Sequence, residues 1–229
     1  MKNKQRSTEF KTLMDYAKEM HSRYFHTLSA FYAYEALCEI TAPNIVGKYE
    51  AEENAKTIRR YNNFFLPARE SLRVYFFLEL AKMFDSSKQS LHINKILNFT
   101  ESNITNLTLD AFKEYKGINY ADLVSIKALL DNHEVALNKL DVYRNKWLAH
   151  DDINKPELPS INQGEIKNLF KILAKILNTI TSQLNSESWT YSHIENDVKH
   201  HTRLVIDHLR RFEPYHIKEI DEKQEIPKR

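Results

Sequence analysis

Glycine is scarce in this chain, with Gly47, Gly117 and Gly164 the three glycines among 229 residues. Barrels, sandwiches and nucleotide-binding α/β folds use glycine for tight turns and for close approach of the backbone to a ligand. The shortage therefore argues against all of these fold classes. With 42% hydrophobic residues and a mean hydropathy of -0.57, the composition predicts a globular all-α protein.

Cysteine and long apolar runs are also lacking. The single Cys38 cannot form an internal disulfide. A chain of this length buries roughly 70% of its unfolded surface, so its core needs neither a disulfide nor a metal. No stretch approaches about 18 consecutive apolar residues, and the first eleven residues lack the apolar segment of a signal peptide. We expect a cytoplasmic protein that does not contact membranes.

The chain also lacks an excess of charge of either sign. Against 33 Lys and Arg residues stand 31 Asp and Glu residues, which leaves a net charge of +2. This value is too small to attract nucleic acid through bulk electrostatics. Any site for a polyanion must therefore be local.

Apolar residues at helical spacing predict a series of helices. We expect them over residues 8–41, 50–85 with a kink at Pro67, 93–97, 110–115, 120–130, 133–149, onward from Gly164, and 192–212. Proline and glycine predict loops over 42–49 and 151–160, and Asp131 with Glu134 predicts a capping box. Pro214 and the charged end predict one domain over 1–212 and a tail over 213–229.

Arg144 is the residue that fits this pattern least. In the helix predicted over 133–149, Leu137, Leu140, Arg144 and Trp147 follow the 3, 4, 3 spacing of packing positions. A guanidinium thus stands where the pattern asks for leucine, and a buried charge needs a partner. One interpretation is a structural ion pair with Glu79, Asp85 or Glu35. The other is that Arg144 faces a cleft or a subunit boundary.

His150 is the second candidate. It lies about 240° around a continued α-helix from Arg144, so the two side chains converge only if the helix ends near Leu148. The loop predicted over 151–160 favours such an end. A histidine at the C-terminus of a helix can also serve only to complement the helix dipole.

The segment Arg144-Asn145-Lys146-Trp147-Leu148-Ala149-His150 has an Arg, a polar residue and a His late in a helical chain. It resembles the motif of the HEPN superfamily. Residues 24–44 and 64–93, which include LELAKMFDSSKQSLHI, are similar to the abortive-infection, AbiU-like branch. The resemblance covers most of residues 23–152. It implies an antiparallel helical bundle, here with additional C-terminal helices.

The resemblance also implies a metal-independent endoribonuclease without a cofactor, in which two protomers share one cleft. The ribose 2'-hydroxyl would attack the phosphate and give a 2',3'-cyclic phosphate. This step needs a base, an acid and donors around the phosphate. His150 would be the acid or base, Arg144 and Lys146 would hold the substrate, and Asn145 would orient His150 or the RNA. Supporting acids would come from Glu35, Glu79, Asp85 or Asp151.

The partners implied are RNA, a second copy of the chain, and an antitoxin or another component of a defence system. The sequence departs from the family's toxin branch after His150, because Asp152 stands where that branch has the tyrosine used for silencing by nucleotide addition. Non-catalytic relatives leave a second hypothesis open, that of a module that binds protein or RNA. In that case Arg144 is a structural charge.

A further cluster lies in the last predicted helix, where His193, Asp197, His200, His201 and His208 fall within an arc of about 100°. Without an HExxH motif or a cysteine partner, a solvated flank is the better interpretation than a metal site. We expect the same of Lys199, Arg203, Arg210 and Arg211. The paired aromatic residues are expected to be core residues rather than stacking platforms for bases: Tyr32, Tyr34, Phe64, Phe65, Phe76 and Phe77.

Overall fold

The computed structural model describes residues 7–85, 87, 90–110, 118–148 and 160–224, and no strand occurs within these ranges. The α-helices are α1 (Thr8–Glu39), α2 (Pro43–Val46), α3 (Lys48–Arg60), α4 (Asn62–Phe84), α5 (Ile93–Ser102), α6 (Ile104–Asp110), α7 (Tyr120–Asp131), α8 (Glu134–Val142), α9 (Gln163–Asn185) and α10 (Ile194–Gln224). A π-helix, Tyr143–Leu148, follows α8 directly. The predicted all-α class is confirmed.

The chain divides into two compact units. Unit 1 comprises Met1–Leu28 and Val74–Tyr191. Its core is built on α9, where the apolar stripe predicted from the sequence is buried throughout: Ile166, Leu169, Phe170, Leu173, Ile176, Leu177 and Ile180. α7 and α8 both contact α9. Removing each such side chain from water contributes about 1.5–3 kcal/mol, so burial of the α9 stripe contributes substantially to the stability of this unit.

Unit 2 comprises Ser29–Arg73 and Ser192–Arg229. Its core contains Leu37 of α1, Phe65 of α4 and Ile206 of α10, all of them buried. Three basic residues of α10, Lys199, Arg203 and Arg210, bind carboxylates of α1 and α3 in the same unit. Arg210, for example, contacts Glu50 at 2.6 Å.

The long helix predicted over 50–85 is two helices, and the kink predicted at Pro67 stays a prediction. The break falls at Tyr61, whose backbone has left the helical region (φ -105°, ψ 31°), while Pro67 lies inside α4. Asn62 and Asn63 follow the break, and asparagine side chains compete with helical hydrogen bonding. The loop predicted over 42–49 contains the one-turn helix α2, which Gly47 ends with a positive φ of 88°.

The capping box predicted for Asp131 and Glu134 is also wrong. Asp131 is the last residue of α7, and His133, which precedes α8, donates its backbone N–H back to Leu130 O at 2.9 Å. No extended residue is therefore left to cap α8. The capping boxes that do form precede α7, between Asn119 and Asp122, and α9, between Asn162 and Glu165.

Two helix ends differ from the prediction. α5 runs to Ser102 rather than Leu97, and α10 continues through Pro214 to Gln224 rather than ending at Phe212. A proline inside a helix removes one hydrogen bond but does not always end it. The helix predicted over 110–115 lies outside the described residues apart from Asp110. The division into a domain over 1–212 and a tail over 213–229 stays a prediction.

Two absences within the described ranges concern membranes and metal ions. Within the described ranges, none of the helices has both the length and the apolar character that crossing a bilayer demands. In the same part of the chain, no three His, Cys, Asp or Glu side chains come together as a group able to hold a metal ion.

Candidate active site around Arg144

The candidate site begins where α8 widens into the π-helix. The six residues Tyr143–Leu148 have the sequence YRNKWL and include Arg144 and Asn145. A π-helix pairs residues five apart, so side chains after it project in directions different from those of a continued α-helix. Such turns occur often at functional sites because they re-aim side chains. The helix predicted over 133–149 is therefore present as two elements of different pitch.

Tyr143 fixes the start of the π-helix within unit 1. Its ring is buried and stacks on Phe77 of α4, with the centroids 4.4 Å apart and the planes at 21°. Leu140, one turn earlier, is also buried. These contacts hold the N-terminal end of the π-helix against α4 and bring Arg144 to Asp85, the residue that follows α4.

Arg144 has a partner at each of its three guanidinium nitrogens. Nη1 lies 2.9 Å from Asp85 Oδ2, and Nη2 lies 2.9 Å from Asp141 Oδ1. Nε donates to Asn145 Oδ1 at 2.9 Å. Asn145 Nδ2 in turn donates to Asp141 Oδ2 at 2.9 Å, which closes a ring of three side chains. The polar contacts hold Arg144 in one conformation.

The side chains of the three charged residues differ in exposure. Arg144 is 17% exposed and Asp85 22%, whereas Asp141 is 56% exposed. The two carboxylates that face the guanidinium offset part of the cost of removing its charge from water. The ion pair with Asp85 is one of the three that the sequence predicted. Arg144 is thus neither unpaired nor deeply buried.

These residues border a cavity of about 320 Å³ in unit 1. Its walls are formed by Ala81, Phe84, Asp85, Leu137, Asn138, Leu140, Asp141, Arg144 and Asn145. The volume is at the lower end of that of small-molecule sites. The cavity offers amide and guanidinium donors, but its three charged residues sum to one negative charge.

Asp141 is the residue of this site that the sequence analysis missed. It precedes Arg144 by three positions and Asn145 by four, which are the spacings at which side chains on a helix meet. This spacing was a sufficient signal. The three acids predicted as partners of Arg144 all come from other parts of the chain.

The other two candidate acids bind different cations. Glu79 Oε2 accepts from Arg23 at 3.2 Å and Glu79 Oε1 from Lys82 at 2.8 Å. Burial opposes ionisation of Glu79, but the hydrogen bond from Lys82 and the charge of Arg23 hold its pKa below the ordinary value. Glu35, in unit 2, lies 2.5 Å from Lys199. Asp85 is the candidate acid that the structure brings to Arg144.

Three of the predicted site residues are not tested by this geometry. His150 and Asp151 lie outside the described residues. Lys146 contributes backbone to the π-helix, and its side chain also lies outside the described part. The roles predicted for these three residues stay predictions.

The histidine cluster of the last helix is a solvated flank, as expected. His193, Asp197, His200, His201 and His208 are all exposed. The same expectation is wrong for Lys199, whose side chain is 14% exposed and contacts Glu39 at 2.7 Å, whereas Arg203 is 48% exposed and contacts Glu39 at 3.3 Å. Of the paired aromatic residues, Phe65, Phe76 and Phe77 are core residues as predicted, whereas Phe64 is 66% exposed.

An all-α chain with an arginine and a polar neighbour late in its helices has the features of a HEPN protein. The profile of the HEPN AbiU2 family, described as AbiU2, matches residues 10–205. The chain therefore belongs to this family, and the predicted abortive-infection branch is confirmed. Neither the curated proteins nor the solved structures gave a match to the chain.

Proposed function

We propose that the protein is a HEPN-type endoribonuclease that cuts RNA without a metal ion. The observation that carries this proposal is the place of Arg144: a charged, partly covered guanidinium in a π-helix at the wall of a polar cavity, with an amide beside it. Family membership supports the same reading. The protein would act in the cytoplasm as a toxin or abortive-infection effector, with an antitoxin or defence partner.

The residue types suit attack by the 2'-hydroxyl. A base removes the 2'-proton, the 2'-oxygen bonds to phosphorus, and the 5'-oxygen leaves with a proton from an acid, which gives a 2',3'-cyclic phosphate. Arg144 holds the phosphate oxygens as their charge develops. Asn145 orients the phosphate or His150, and Lys146 adds a positive charge. Asp85 positions Arg144.

One His150 per chain supplies one proton carrier, whereas the reaction uses two. A symmetric dimer supplies both from the two copies of the motif, and this gives dimer formation a chemical reason. In the composite site each His150 would serve as base or acid.

The test uses purified dimer and single-stranded RNA in the presence of a chelator. His150→Ala and Arg144→Ala are each expected to lower the cleavage rate by about 10²-fold or more, because each removes a proton carrier or a phosphate donor. His208→Ala, which removes an exposed histidine, is the matched control and retains the parental rate. Cleavage that survives both site substitutions would reject the site.

A binding module without catalysis is the second candidate function. The observation that favours it is the double ion pair of Arg144 with Asp85 and Asp141, which is what a structural charge would have. The chain would then hold RNA or a partner protein without cutting it. Tight RNA binding with no cleavage by the parental dimer, with or without added divalent metal, would favour this function.

A further inference from the structure

The proposed site is occupied by the protein's own carboxylates, and this points to a means of control. We propose that Asp141 is an internal competitor for the RNA phosphate, so that the described arrangement is a resting state that RNA opens by displacing Asp141. The inference rests on the proposed function, because it takes Arg144 as the residue that binds phosphate. It adds a regulatory role for a residue outside the motif.

The contacts of Arg144 support such competition. Nη1, Nη2 and Nε each have an oxygen partner at 2.9 Å. These contacts use three of the five N–H donors of the guanidinium. A phosphate that binds through two oxygens in the usual two-pronged manner approaches two neighbouring nitrogens, where it meets the oxygen partners already bound there. A carboxylate and a phosphodiester offer the same kind of anionic oxygen to the same donors. Phosphate binding at Arg144 is therefore an exchange of ligands.

Exposure identifies Asp141 as the carboxylate that exchanges. Its side chain is 56% exposed, whereas that of Asp85 is 22% exposed. Ion pairs between exposed groups contribute little because water and salt screen them. Water can also solvate Asp141 once it has left Arg144. Asp85 is better covered, so it stays on Nη1 and keeps the guanidinium in position.

Displacement of Asp141 frees two donors at once. Arg144 Nη2 loses its contact with Asp141 Oδ1, and Asn145 Nδ2 loses its acceptor, Asp141 Oδ2. A guanidinium N–H and an amide N–H then become available side by side. Asn145, which follows Arg144 in the motif, thus acquires a second role. Its amide N–H is bound to Asp141 while Asp141 holds Arg144, and it becomes available when Asp141 leaves.

Charge favours the same conclusion. With both aspartates in place, the charged residues of the cavity wall sum to minus one, which repels a phosphodiester. Movement of Asp141 into solvent leaves Arg144 and Asp85, which sum to zero. The resting state therefore selects against weakly bound anions and yields to a polyanion that makes several contacts.

The experiment measures the binding of a fluorescein-labelled single-stranded RNA by fluorescence anisotropy. Its sugars are 2'-O-methylated, so it cannot be cut. Asp141→Asn is expected to bind it roughly tenfold more tightly than the parent, because the competing charge is gone. Asp131→Asn removes one exposed carboxylate from the same unit and controls for the change in net charge. In an Arg144→Gln background, Asp141→Asn should gain no more than this control.

Three results would overturn the inference: equal affinities for Asp141→Asn and Asp131→Asn, weaker binding by Asp141→Asn, or no RNA binding by any variant. Asp141→Ala checks that the result does not depend on the new amide. Cleavage of unmodified RNA is scored separately through its dependence on His150. Tighter binding by Asp141→Asn without any cleavage would support the internal competitor and reject the nuclease.

Discussion

Arg144 occupies a position whose spacing predicts leucine, and its contacts explain how the chain tolerates a charge there. Asp85 approaches from the residue after α4, and Asp141 approaches from the preceding turn of its own helix. A largely covered arginine between two carboxylates is stable as a group, but the group is less stable when one member is removed. The energetics of the Arg144–Asp85 pair can therefore be separated from any effect on RNA.

A double-mutant cycle on Arg144 and Asp85 measures this pair. We expect Arg144→Met and Asp85→Asn to interact by about 1 kcal/mol in the free energy of unfolding, because residues in direct contact are not additive. The measurement is urea unfolding of the two single variants and the double variant. Glu79→Gln is the matched control, since Glu79 binds Arg23 and Lys82, and it should be additive with Arg144→Met.

Two outcomes would contradict this expectation. Additivity of Arg144→Met with Asp85→Asn would mean that the 2.9 Å contact contributes nothing to stability. Coupling to Glu79 of the same size would mean that Arg144 lies nearer to α4's middle than to its end. A separate result of the same experiment bears on function. If the Arg144→Met variant is more stable than the parent, the arginine is kept at a cost to the fold, as expected for a functional residue.

The sequence predicted that Arg144 needs an acid, and it limited the choice to Glu79, Asp85 and Glu35. It could not decide among them. Glu79 and Asp85 are six residues apart and would project about 240° apart on one helix, so the choice depends on which side of α4 faces the π-helix. That is a property of tertiary packing. The stacking of Tyr143 on Phe77 shows which side of α4 faces the π-helix.

At the scale of elements, the predictions succeed where one apolar stripe runs the length of a helix. α9 follows its seven-residue stripe, and α1 ends at Glu39, within two residues of the predicted end. The predictions are wrong where competing local hydrogen bonds decide the outcome. The break at Tyr61 and the π-helix at Tyr143–Leu148 are of this kind, because periodicity cannot distinguish hydrogen bonds four residues apart from bonds five apart.

Within unit 2, α10 is joined to α1 by Lys199. Its ammonium contacts Glu35 at 2.5 Å and Glu39 at 2.7 Å, and Glu35 is buried. Burial opposes the charged ammonium, but hydrogen bonds to Glu35 and Glu39 outweigh it and raise the pKa of Lys199. Removing one partner of a buried pair leaves the other charge without compensation. Lys199 is therefore a structural lysine.

Lys199→Met is expected to lower the free energy of unfolding by about 3 kcal/mol. Arg203→Met is the matched control on the same helix. Its side chain is 48% exposed and contacts Glu39 at 3.3 Å, so its loss should cost less than about 1 kcal/mol. Urea unfolding followed by circular dichroism measures both changes. Equal costs for the two variants would contradict the role of Lys199, whereas Glu35→Gln should restore part of the loss in Lys199→Met.

At the scale of the whole molecule, the 33 basic residues are nearly balanced by 31 acidic residues, and the structure shows that many of these charges are paired. Several cations distributed along the described chain are bound to carboxylates, among them Arg23, Lys127, Lys139, Arg144 and Lys199. A surface of paired charges exerts little attraction on RNA from a distance. Under the proposed function, contact with RNA therefore depends on a local exchange of partners at Arg144 and on a site that two copies complete together.

Mixed dimers test whether two copies share one site. Two differently tagged chains, one parental and one His150→Ala, are co-expressed and isolated through both tags. A shared site would retain one of its two proton carriers, and we expect its cleavage rate to fall by about 10²-fold relative to the parental dimer. Two independent sites would retain half of the rate.

A mixed dimer of the parental chain with His208→Ala controls for tagging and should match the parental dimer. A half-rate in the first dimer, or a monomer at every concentration tested, would reject the shared site and would require both proton transfers within one chain.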